Sequence, residues 1–203
     1  MGRRLTGRLV LATQNAGKLE EFRALVAPFA LDVTSAGELG LPVPEETGGT
    51  FRENAMIKAL AAVAATELPC LADDSGLCVE ALNGEPGVHT ADWAGPDRDF
   101  DVAMRKVETR LEAIGAQDPA QRRGTFVSYL CLVWPDGHTE EFEGRVDGTL
   151  VWPPRGARGH GYDPMFQPDG GKLTFAQMDA EKKNRLSHRA LSFEKFAKAC
   201  LAT

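Results

Sequence analysis

The sequence predicts an α/β protein with a mixed β-sheet flanked by helices. In the first half of the chain, apolar runs of strand length alternate with segments of helical character, and a hairpin signal follows later. The 203 residues, 43% hydrophobic and 26% charged, have the composition of an ordinary globular protein. We therefore expect residues 1–203 to form one domain of two lobes, without internal repeats or linkers.

Short apolar runs and one helix cap define the first half. The predicted segments are a strand at Leu9–Ala12, a turn at Thr13–Gly17, a helix at Lys18–Ala27, a strand at Leu31–Val33 and a loop at Leu41–Gly49. Thr50 and Glu53 have the spacing of a capping box, in which each side chain accepts a hydrogen bond from a backbone N–H at the start of a helix. The alanine-rich helix that follows is expected to end at about Thr66.

The second half combines strands, loops and short capped helices. Its predicted segments are strands at Pro69–Ala72 and Leu77–Ala81, a loop at Asn83–Asp97, a helix at Phe100–Ile114, a hairpin of Thr125–Trp134 and Thr139–Val146, and a surface loop at Trp152–Gly161. Asp179 predicts the cap of a short helix, and Ser187 the cap of a final helix to about Cys200.

Two adjacent acids, Asp73 and Asp74, stand between two predicted strands in the sequence Ala-Asp-Asp-Ser-Gly. Neighbouring side chains of a strand point to opposite faces, so the two acids cannot both face one ion while strand geometry lasts. One acid can bind a metal ion or a water, the other can hold the turn, and Ser75 can approach an anion. Asp-Asp-Ser-Gly is also an ordinary turn sequence, so taken alone it leaves both interpretations open.

Charge and cysteine content narrow the setting. The net charge of −6 and the absence of a long basic run argue against duplex nucleic acid as a partner. The four cysteines lack zinc-ligand spacing, which favours a reducing compartment. The apolar run behind the basic N-terminus, Leu9–Ala12, is too short for a signal-peptide core, and no segment approaches the length of a membrane span. These features predict a cytoplasmic protein that binds neither nucleic acid nor membrane.

The first strand-to-helix turn suits a phosphate group. It reads Thr13, Gln14, Asn15, Ala16, Gly17 and Lys18. A helix N-terminus offers backbone N–H groups and the positive end of its dipole, a glycine permits close approach, and a lysine adds charge. The sequence is neither a Walker loop nor a dinucleotide-binding fingerprint, and an ordinary turn with a solvated lysine has the same pattern.

Carboxylates also precede the capped helix. Glu45 and Glu46 can complement the dipole of that helix, or one of them can join Asp74 as a metal ligand. Mg²⁺ commonly uses one or two carboxylates together with waters and phosphates.

Two further motifs lie near the C-terminus. In His160-Gly161-Tyr162-Asp163-Pro164, an aromatic ring next to a flexible glycine can stack on a base or can plug a turn. Lys183, His188 and Arg189, with Ser187, form either a basic, solvated helix end or a set of donors for phosphate and a base edge.

Together and in this order, the motifs resemble those of the inosine triphosphate pyrophosphatase family, the RdgB-like house-cleaning enzymes. The matching motifs are Thr-x-Asn-x-Gly-Lys, Glu-Glu-Thr-Gly-x-Thr-Phe-x-Glu-Asn-Ala, Ala-Asp-Asp-Ser-Gly-Leu, Gly-Tyr-Asp-Pro-x-Phe and Ser-His-Arg. The resemblance extends over residues 8–200.

The resemblance implies a role for each motif. It assigns triphosphate binding to residues 13–18, with Lys18 also stabilising charge, and it makes Asp74 both the general base and a metal ligand. The remaining implied contacts are a second metal ligand at Glu45 or Glu46, and substrate contacts at Ser75, His160, Gly161, Tyr162, Asp163, Lys183, His188 and Arg189. His160 departs from the family, which usually has Phe there, and an imidazole stacks more weakly and carries a pH-dependent charge.

The family resemblance implies a fold of two lobes with a central substrate cleft, usually in a homodimer. It also implies Mg²⁺-dependent hydrolysis of non-canonical purine nucleoside triphosphates (ITP, dITP and XTP) to the monophosphate and pyrophosphate. A pyrophosphatase for modified pyrimidine or canonical nucleotides, as in the Maf-like proteins, is the alternative enzyme. A nucleotide-binding regulator without turnover is the alternative from another class, although a pure binder gains little from a general base.

Overall fold

The computed structural model describes residues 2–29 and 31–201 of the chain. Its helices and strands are β1 (Arg8–Leu11), α1 (Ala16–Val26), β2 (Asp32–Ser35), α2 (Phe51–Thr66), β3 (Cys70–Val79), α3 (Phe100–Ala113), β4 (Arg123–Val133), β5 (Thr139–Leu150), β6 (Phe166–Pro168), α4 (Ala180–Leu186) and α5 (His188–Phe196). A π-helical turn, Ala197–Leu201, continues α5, and short 3₁₀ turns occupy several loops. None of the helices in the described ranges has the length and apolar character needed to cross a membrane.

The strands of the described residues form one six-stranded sheet in the order β2-β1-β3-β4-β5-β6. β1 pairs in parallel with both β2 and β3, whereas β5 and β6 pair antiparallel. The predicted mixed sheet is therefore confirmed. β4 and β5 are joined by the predicted turn, in which Gly137 has a φ of 84° that favours glycine.

The chain divides into two compact units, and the boundaries fall inside β3, β4 and β5. The first unit comprises the chain up to Asp74, Tyr129–Glu143 and the chain from Ser192 onward. The second comprises Ser75–Ser128 and Gly144–Leu191. The prediction of two lobes with a cleft stays a prediction.

In the first unit, the two faces of the sheet carry separate apolar clusters. Leu9, Leu11 and Leu71 pack in one cluster with the apolar side of α1. Val10, Ala12, Cys70 and Ala72 pack in another with Ala55, Ala59 and Ala62 of α2. This division follows the period of two along each strand, so α1 and α2 lie on opposite faces of this part of the sheet.

The second unit has its own core, built on α3 and the aromatic residues that follow β5. Tyr162, Phe166 and Phe175 are almost fully buried in it. Glu108 of α3 forms a buried ion pair with Arg122, which also donates to the carbonyl oxygens of Ala116 and Leu150. Buried charges of this kind are tolerated because every donor has an acceptor.

The structure corrects one prediction at the centre of the chain. The sequence predicted a turn at Asp73–Gly76, but β3 runs without interruption from Cys70 to Val79. β1 pairs with β3 only at Cys70 and Leu71, and β3 continues beyond the end of β1 with β4 as its neighbour. Pairing within the sheet has therefore overridden the local turn preference of Asp-Asp-Ser-Gly.

Other element boundaries differ by a few residues from those predicted. α1 begins at Ala16 and not at Lys18, because the side chain of Asn15 caps it by accepting a hydrogen bond from the backbone N–H of Lys18. β2 is shifted to Asp32–Ser35. The predicted caps at Thr50, Asp179 and Ser187 are confirmed, since each side chain accepts a hydrogen bond from a backbone N–H in the first turn of the following helix.

The capping box of Thr50 and Glu53 is expected to stabilise the alanine-rich helix α2. Thr50 Oγ1 accepts a hydrogen bond from the N–H of Glu53, whose carboxylate accepts one from the N–H of Thr50. We expect Thr50→Ala to lower the free energy of unfolding by about 1 kcal/mol in urea titrations, because an N–H group loses its acceptor. Thr50→Ser is the matched control and keeps most of the stability, and equal losses in both variants would contradict a capping role.

Candidate functional site

The turn between β1 and α1 is an accessible helix N-terminus in the first unit. Gln14, Asn15, Ala16 and Gly17 are exposed, and Lys18 is half-buried. The turn is held by its own side chains: Thr13 Oγ1 accepts a hydrogen bond from the N–H of Asn15, and Gln14 Nε2 donates to Leu41 O at 2.7 Å. The predicted phosphate turn thus lies at the carboxyl end of β1, where the first turn of α1 begins.

The two adjacent acids of β3 occupy opposite faces of the sheet, as strand geometry requires. Asp73 lies two residues after Leu71 and therefore on the same face of the sheet, and its carboxylate forms an ion pair with Lys18 of α1 at 2.7 Å. Asp74 lies on the same face as Cys70 and Ala72, and its Oδ1 accepts a hydrogen bond from Lys58 of α2 at 2.8 Å. Each acid therefore has its own lysine, supplied by the helix on its face.

Lys58 is the residue that the motif analysis missed. Its ammonium donates both to Asp74 and to Glu46, which it reaches at 3.1 Å, and its side chain is only 12% exposed. The available signal was a single charged residue within the buried stripe Ala55, Ala59 and Ala62 of α2. A lysine on such a stripe needs a buried acceptor, and Asp74 is that acceptor.

The structure also distinguishes between the two glutamates before α2. Glu46 shares the ammonium of Lys58 with Asp74, so its carboxylate lies close to that of Asp74. Glu45 is exposed and makes no contact of this kind among the described residues. Of the two, Glu46 is the better placed to bind a cation together with Asp74.

Burial dominates the electrostatics of Asp74. Desolvation raises the pKa of its carboxyl from the ordinary value of 3.8 to about 6, although the neighbouring ammonium of Lys58 acts in the opposite direction. For Lys58, burial disfavours the charged form, but attraction to Asp74 and Glu46 outweighs it and raises the pKa of the lysine. Lys58 therefore stays charged throughout the range in which Asp74 titrates.

One oxygen of Asp74 fits a metal ligand. Oδ2 is buried without a hydrogen-bond partner, whereas Oδ1 is bound to Lys58. An unsatisfied buried carboxylate oxygen is costly, and a divalent cation would satisfy it. No group of three or more His, Cys, Asp or Glu side chains in the described ranges is arranged to hold a metal. A carboxylate pair such as Asp74 and Glu46 suits Mg²⁺, which completes its shell with waters and phosphate oxygens.

A second group of predicted residues lies in the second unit, around Asp163. Asp163 is almost fully buried, and its Oδ2 accepts hydrogen bonds from Lys183 Nζ at 2.6 Å and from the N–H of His160 at 2.9 Å. Gly161, which follows His160 in the sequence, has a φ of 67°. His160 itself is exposed. The carboxylate of Asp163 thus fixes both the loop and the lysine of α4.

Tyr162 does not offer a stacking surface in this structure. Its side chain is 1% exposed, its ring lies edge-on to Phe100, and its hydroxyl donates to the carbonyl of Thr90. Of the two interpretations of this aromatic residue, the plug of a turn is the one that its burial supports. Any contact that Tyr162 makes with a ligand would come from its backbone.

The last predicted group stands at the start of α5. Ser187 caps this helix, and the imidazole of the buried His188 stacks on Phe126, with ring centroids 4.8 Å apart and planes 13° apart. The half-buried Arg189 reaches the hydroxyl of Ser75 at 3.4 Å. The structure therefore brings Arg189 and Ser75 together, although 114 residues separate them in sequence.

Open α/β sheets bind phosphorylated ligands at the carboxyl ends of their parallel strands, and the turn at Thr13–Gly17 follows such an end of β1.

Comparisons with known proteins identify the family of the chain. The sequence profile of the Ham1 family matches residues 9–199. A dITP/XTP pyrophosphatase from Bradyrhizobium diazoefficiens is 55% identical over 208 residues, covering 99% of both chains. One from Brucella melitensis is 56% identical over 206 residues, covering 96% of this chain and 94% of the relative.

Solved structures extend the comparison to the fold. A HAM1 protein from Coxiella burnetii superimposes with a TM-score of 0.88 at 36% identity, covering 95% of this chain and 98% of that one. The chain belongs to the Ham1 family. The resemblance inferred from the motifs is thereby confirmed.

The raised pKa of Asp74 predicts how stability changes with pH. A carboxyl whose folded pKa is about 6 and whose unfolded value is 3.8 binds its proton more tightly in the folded protein. Its contribution to stability is therefore complete below about pH 4 and is lost as the pH rises through about 6. We expect the free energy of unfolding of the wild type to fall relative to Asp74→Asn by on the order of 2–3 kcal/mol over this range.

The measurement is urea unfolding of both proteins in EDTA at several pH values. Asp32→Asn is the matched control, because Asp32 is an exposed acid paired with Arg8. A difference between wild type and Asp74→Asn that is constant from acid to neutral pH would contradict the raised pKa.

Proposed function

We propose that this protein hydrolyses non-canonical purine nucleoside triphosphates, namely ITP, dITP and XTP, to the monophosphate and pyrophosphate, using Mg²⁺. The observation that carries the proposal is the buried carboxylate of Asp74, with one oxygen bound to Lys58 and the other without a protein partner. The dITP/XTP pyrophosphatases that are more than half identical over nearly the whole chain support it. Such an enzyme removes deaminated purines from the nucleotide pool.

Asp74 and Glu46 are the residues that would hold Mg²⁺. The metal supplies neutralisation of phosphate charge and favours pyrophosphate as a leaving group. Asp74 carries a second role, since a carboxylate with a pKa of about 6 is ionised at neutral pH and can accept a proton from water. The water oxygen then forms a bond to the α-phosphorus while the bond from that phosphorus to the bridging oxygen breaks, and the released proton goes to the carboxylate.

The lysines of the first unit bind the triphosphate in this proposal. Lys18 stands in the first turn of α1, where its ammonium and the helix N-terminus act on the same anion. A lysine meets phosphate as a point charge and carries no information about the base. The role of Lys18 is thus to stabilise negative charge on the phosphate oxygens, whichever nucleotide is bound.

In this proposal, the remaining contacts to the nucleotide come from residues near Asp163 and at the start of α5. Lys183, held by Asp163, is a further cation for the substrate. Arg189 is our candidate for the reader of position 6 of the base, where hypoxanthine and xanthine present a carbonyl oxygen. Adenine presents an amino group there, and an arginine would face it donor against donor. Guanine also has a carbonyl at this position, so its rejection requires a separate contact at the 2-amino group.

The homodimer and the cytoplasmic setting belong to the same proposal. The family resemblance supports the dimer. The cytoplasmic setting is inferred from the spacing of the four cysteines, which suits a reducing compartment.

Pyrophosphate release from a panel of ITP, dITP, XTP, GTP, ATP and a modified pyrimidine triphosphate tests the reaction. We expect turnover of the first three with Mg²⁺ and none in EDTA. Asp74→Asn should lose on the order of 10²-fold or more in kcat, because it lacks both the base and the anionic ligand. Asp32→Asn should retain wild-type turnover, and a folded Asp74→Asn enzyme that does the same would remove Asp74 from the chemistry.

Arg189→Ala tests the reading of the base. Loss of the buried donor should cost roughly 1–3 kcal/mol of transition-state binding for ITP and little for ATP, narrowing the ratio of their kcat/KM values. Arg185→Ala is the matched control, since Arg185 is an exposed arginine of α4 paired only with Glu181 in the contacts described. Equal losses for ITP, XTP, GTP and ATP would mean that Arg189 binds phosphate and that another residue reads the base.

A further inference from the structure

The arrangement of Lys58 has a consequence for the order in which ligands can bind. Its ammonium lies within hydrogen-bonding distance of Asp74 Oδ1, at 2.8 Å, and of Glu46 Oε2, at 3.1 Å. These two carboxylates are the ones best placed to hold a divalent cation. A lysine that bridges them reduces their joint charge from −2 to −1.

Two effects of Lys58 on cation binding oppose each other. Its hydrogen bond orients Asp74 so that Oδ2 is left for a further ligand, which favours binding. Its positive charge, a few ångströms from any cation held by the same carboxylates, disfavours binding. Repulsion between a monocation and a dication in a half-buried site exceeds the benefit of fixing one short side chain. The net effect of Lys58 is therefore to weaken the binding of a free cation.

A triphosphate reverses this balance. It brings several negative charges, and the ammonium that repels a lone cation attracts the phosphate oxygens that surround a bound one. The neighbouring charges do not compensate in the same way, because Lys18 and Asp73 already form a pair of their own on the opposite face of β3.

We propose that Lys58 makes cation binding conditional on the nucleotide: it opposes the entry of a divalent cation alone and favours the entry of the cation together with a triphosphate. The proposal rests on the proposed function for the identity of the anion. Lys58 is then a binding residue that couples two ligands, and it disfavours occupation of the carboxylates by a cation that carries no substrate.

The coupling gives Lys58 variants two effects of opposite sign, both measurable without turnover. The first is the affinity of the nucleotide-free protein for Mn²⁺, followed by the electron paramagnetic resonance signal of the free ion. The second is the affinity for an ITP analogue with a methylene group between the α- and β-phosphorus, measured calorimetrically in EDTA. Lys58→Gln should bind Mn²⁺ at least tenfold more tightly than the wild type and should bind the analogue at least tenfold more weakly.

Two further variants separate charge from structure. Lys58→Arg keeps the charge and should bind Mn²⁺ as weakly as the wild type, and Lys58→Met provides a second neutral side chain if Lys58→Gln does not fold. Lys18→Gln is the matched control, because Lys18 pairs with the acid on the other face of β3. It should weaken analogue binding while raising the Mn²⁺ affinity much less than Lys58→Gln does, because Lys18 acts on Asp74 only through space and makes no hydrogen bond to it in the contacts described.

An Mn²⁺ affinity that is unchanged or weakened in both neutral Lys58 variants would overturn the inference. An equal gain of Mn²⁺ affinity in Lys18→Gln would also overturn it, since the loss of any nearby positive charge would then explain the effect. Failure of the proposed function is a different result: the wild-type protein would then release no pyrophosphate from any nucleotide of the panel. A tighter Mn²⁺ site in Lys58→Gln alone, with weaker analogue binding, supports the coupling.

Discussion

The alternation of side chains along β3 is the constraint on which the candidate site depends. Because successive residues of a strand face opposite sides of the sheet, Asp73 and Asp74 are separated although they are adjacent in sequence. The helices on the two faces then complete the arrangement: α1 supplies Lys18 to the first acid, and α2 supplies Lys58 to the second. A turn at this position, which the local sequence favours, would have allowed the two acids to face the same way.

The two ion pairs are similar in composition and both acids are nearly buried, but the two lysines differ in exposure. Lys18 stands in an accessible helix N-terminus and remains about one quarter exposed, whereas Lys58 is more deeply buried and shares two carboxylates. A partly exposed ammonium such as that of Lys18 keeps contact with water, so it can change partners at a lower cost than a buried one. A buried pair must be replaced by an interaction of equal strength, because each ion left alone would be desolvated without compensation. In the proposed function a triphosphate can recruit Lys18 readily, while Lys58 responds only to a ligand that also satisfies the carboxylates.

Those parts of the fold that depend on local chemistry were predictable from the sequence. The capping residues Thr50 and Glu53 predicted the start of α2, and Asp179 predicted the start of α4. The Pro-Asp-Gly sequence at Pro135–Gly137 predicted the turn of the hairpin formed by β4 and β5. The parts that depend on distant residues were not. Asp-Asp-Ser-Gly has the composition of a turn, and only its place in the sheet, with β4 beside it beyond the end of β1, makes it a strand.

The same distinction applies to the candidate site. The motifs identified the acids, the first lysine and the C-terminal cluster, because these residues stand in recognisable sequences. Lys58 stands in an alanine-rich helix without a motif, and its partner is 16 residues away. The burial of Tyr162 could not be predicted either, since a Gly-Tyr-Asp sequence is equally compatible with an exposed ring and with one that packs on Phe100.

In the proposed function, selectivity among purines requires donors that cannot move, and the contacts of Asp163 and His188 would hold such donors in place. A polar site rejects the wrong base only when its groups are left unpaired, so a side chain that can swing to water loses the discrimination. Asp163 is buried and fixes Lys183 together with the backbone of the loop at His160. The imidazole of His188 is stacked on Phe126, which fixes the first turn of α5 and hence the origin of Arg189. In the proposed function, the buried ring of Phe126 would contribute to recognition of the base without touching it, because it limits the movement that Arg189 would need to avoid an adenine amino group.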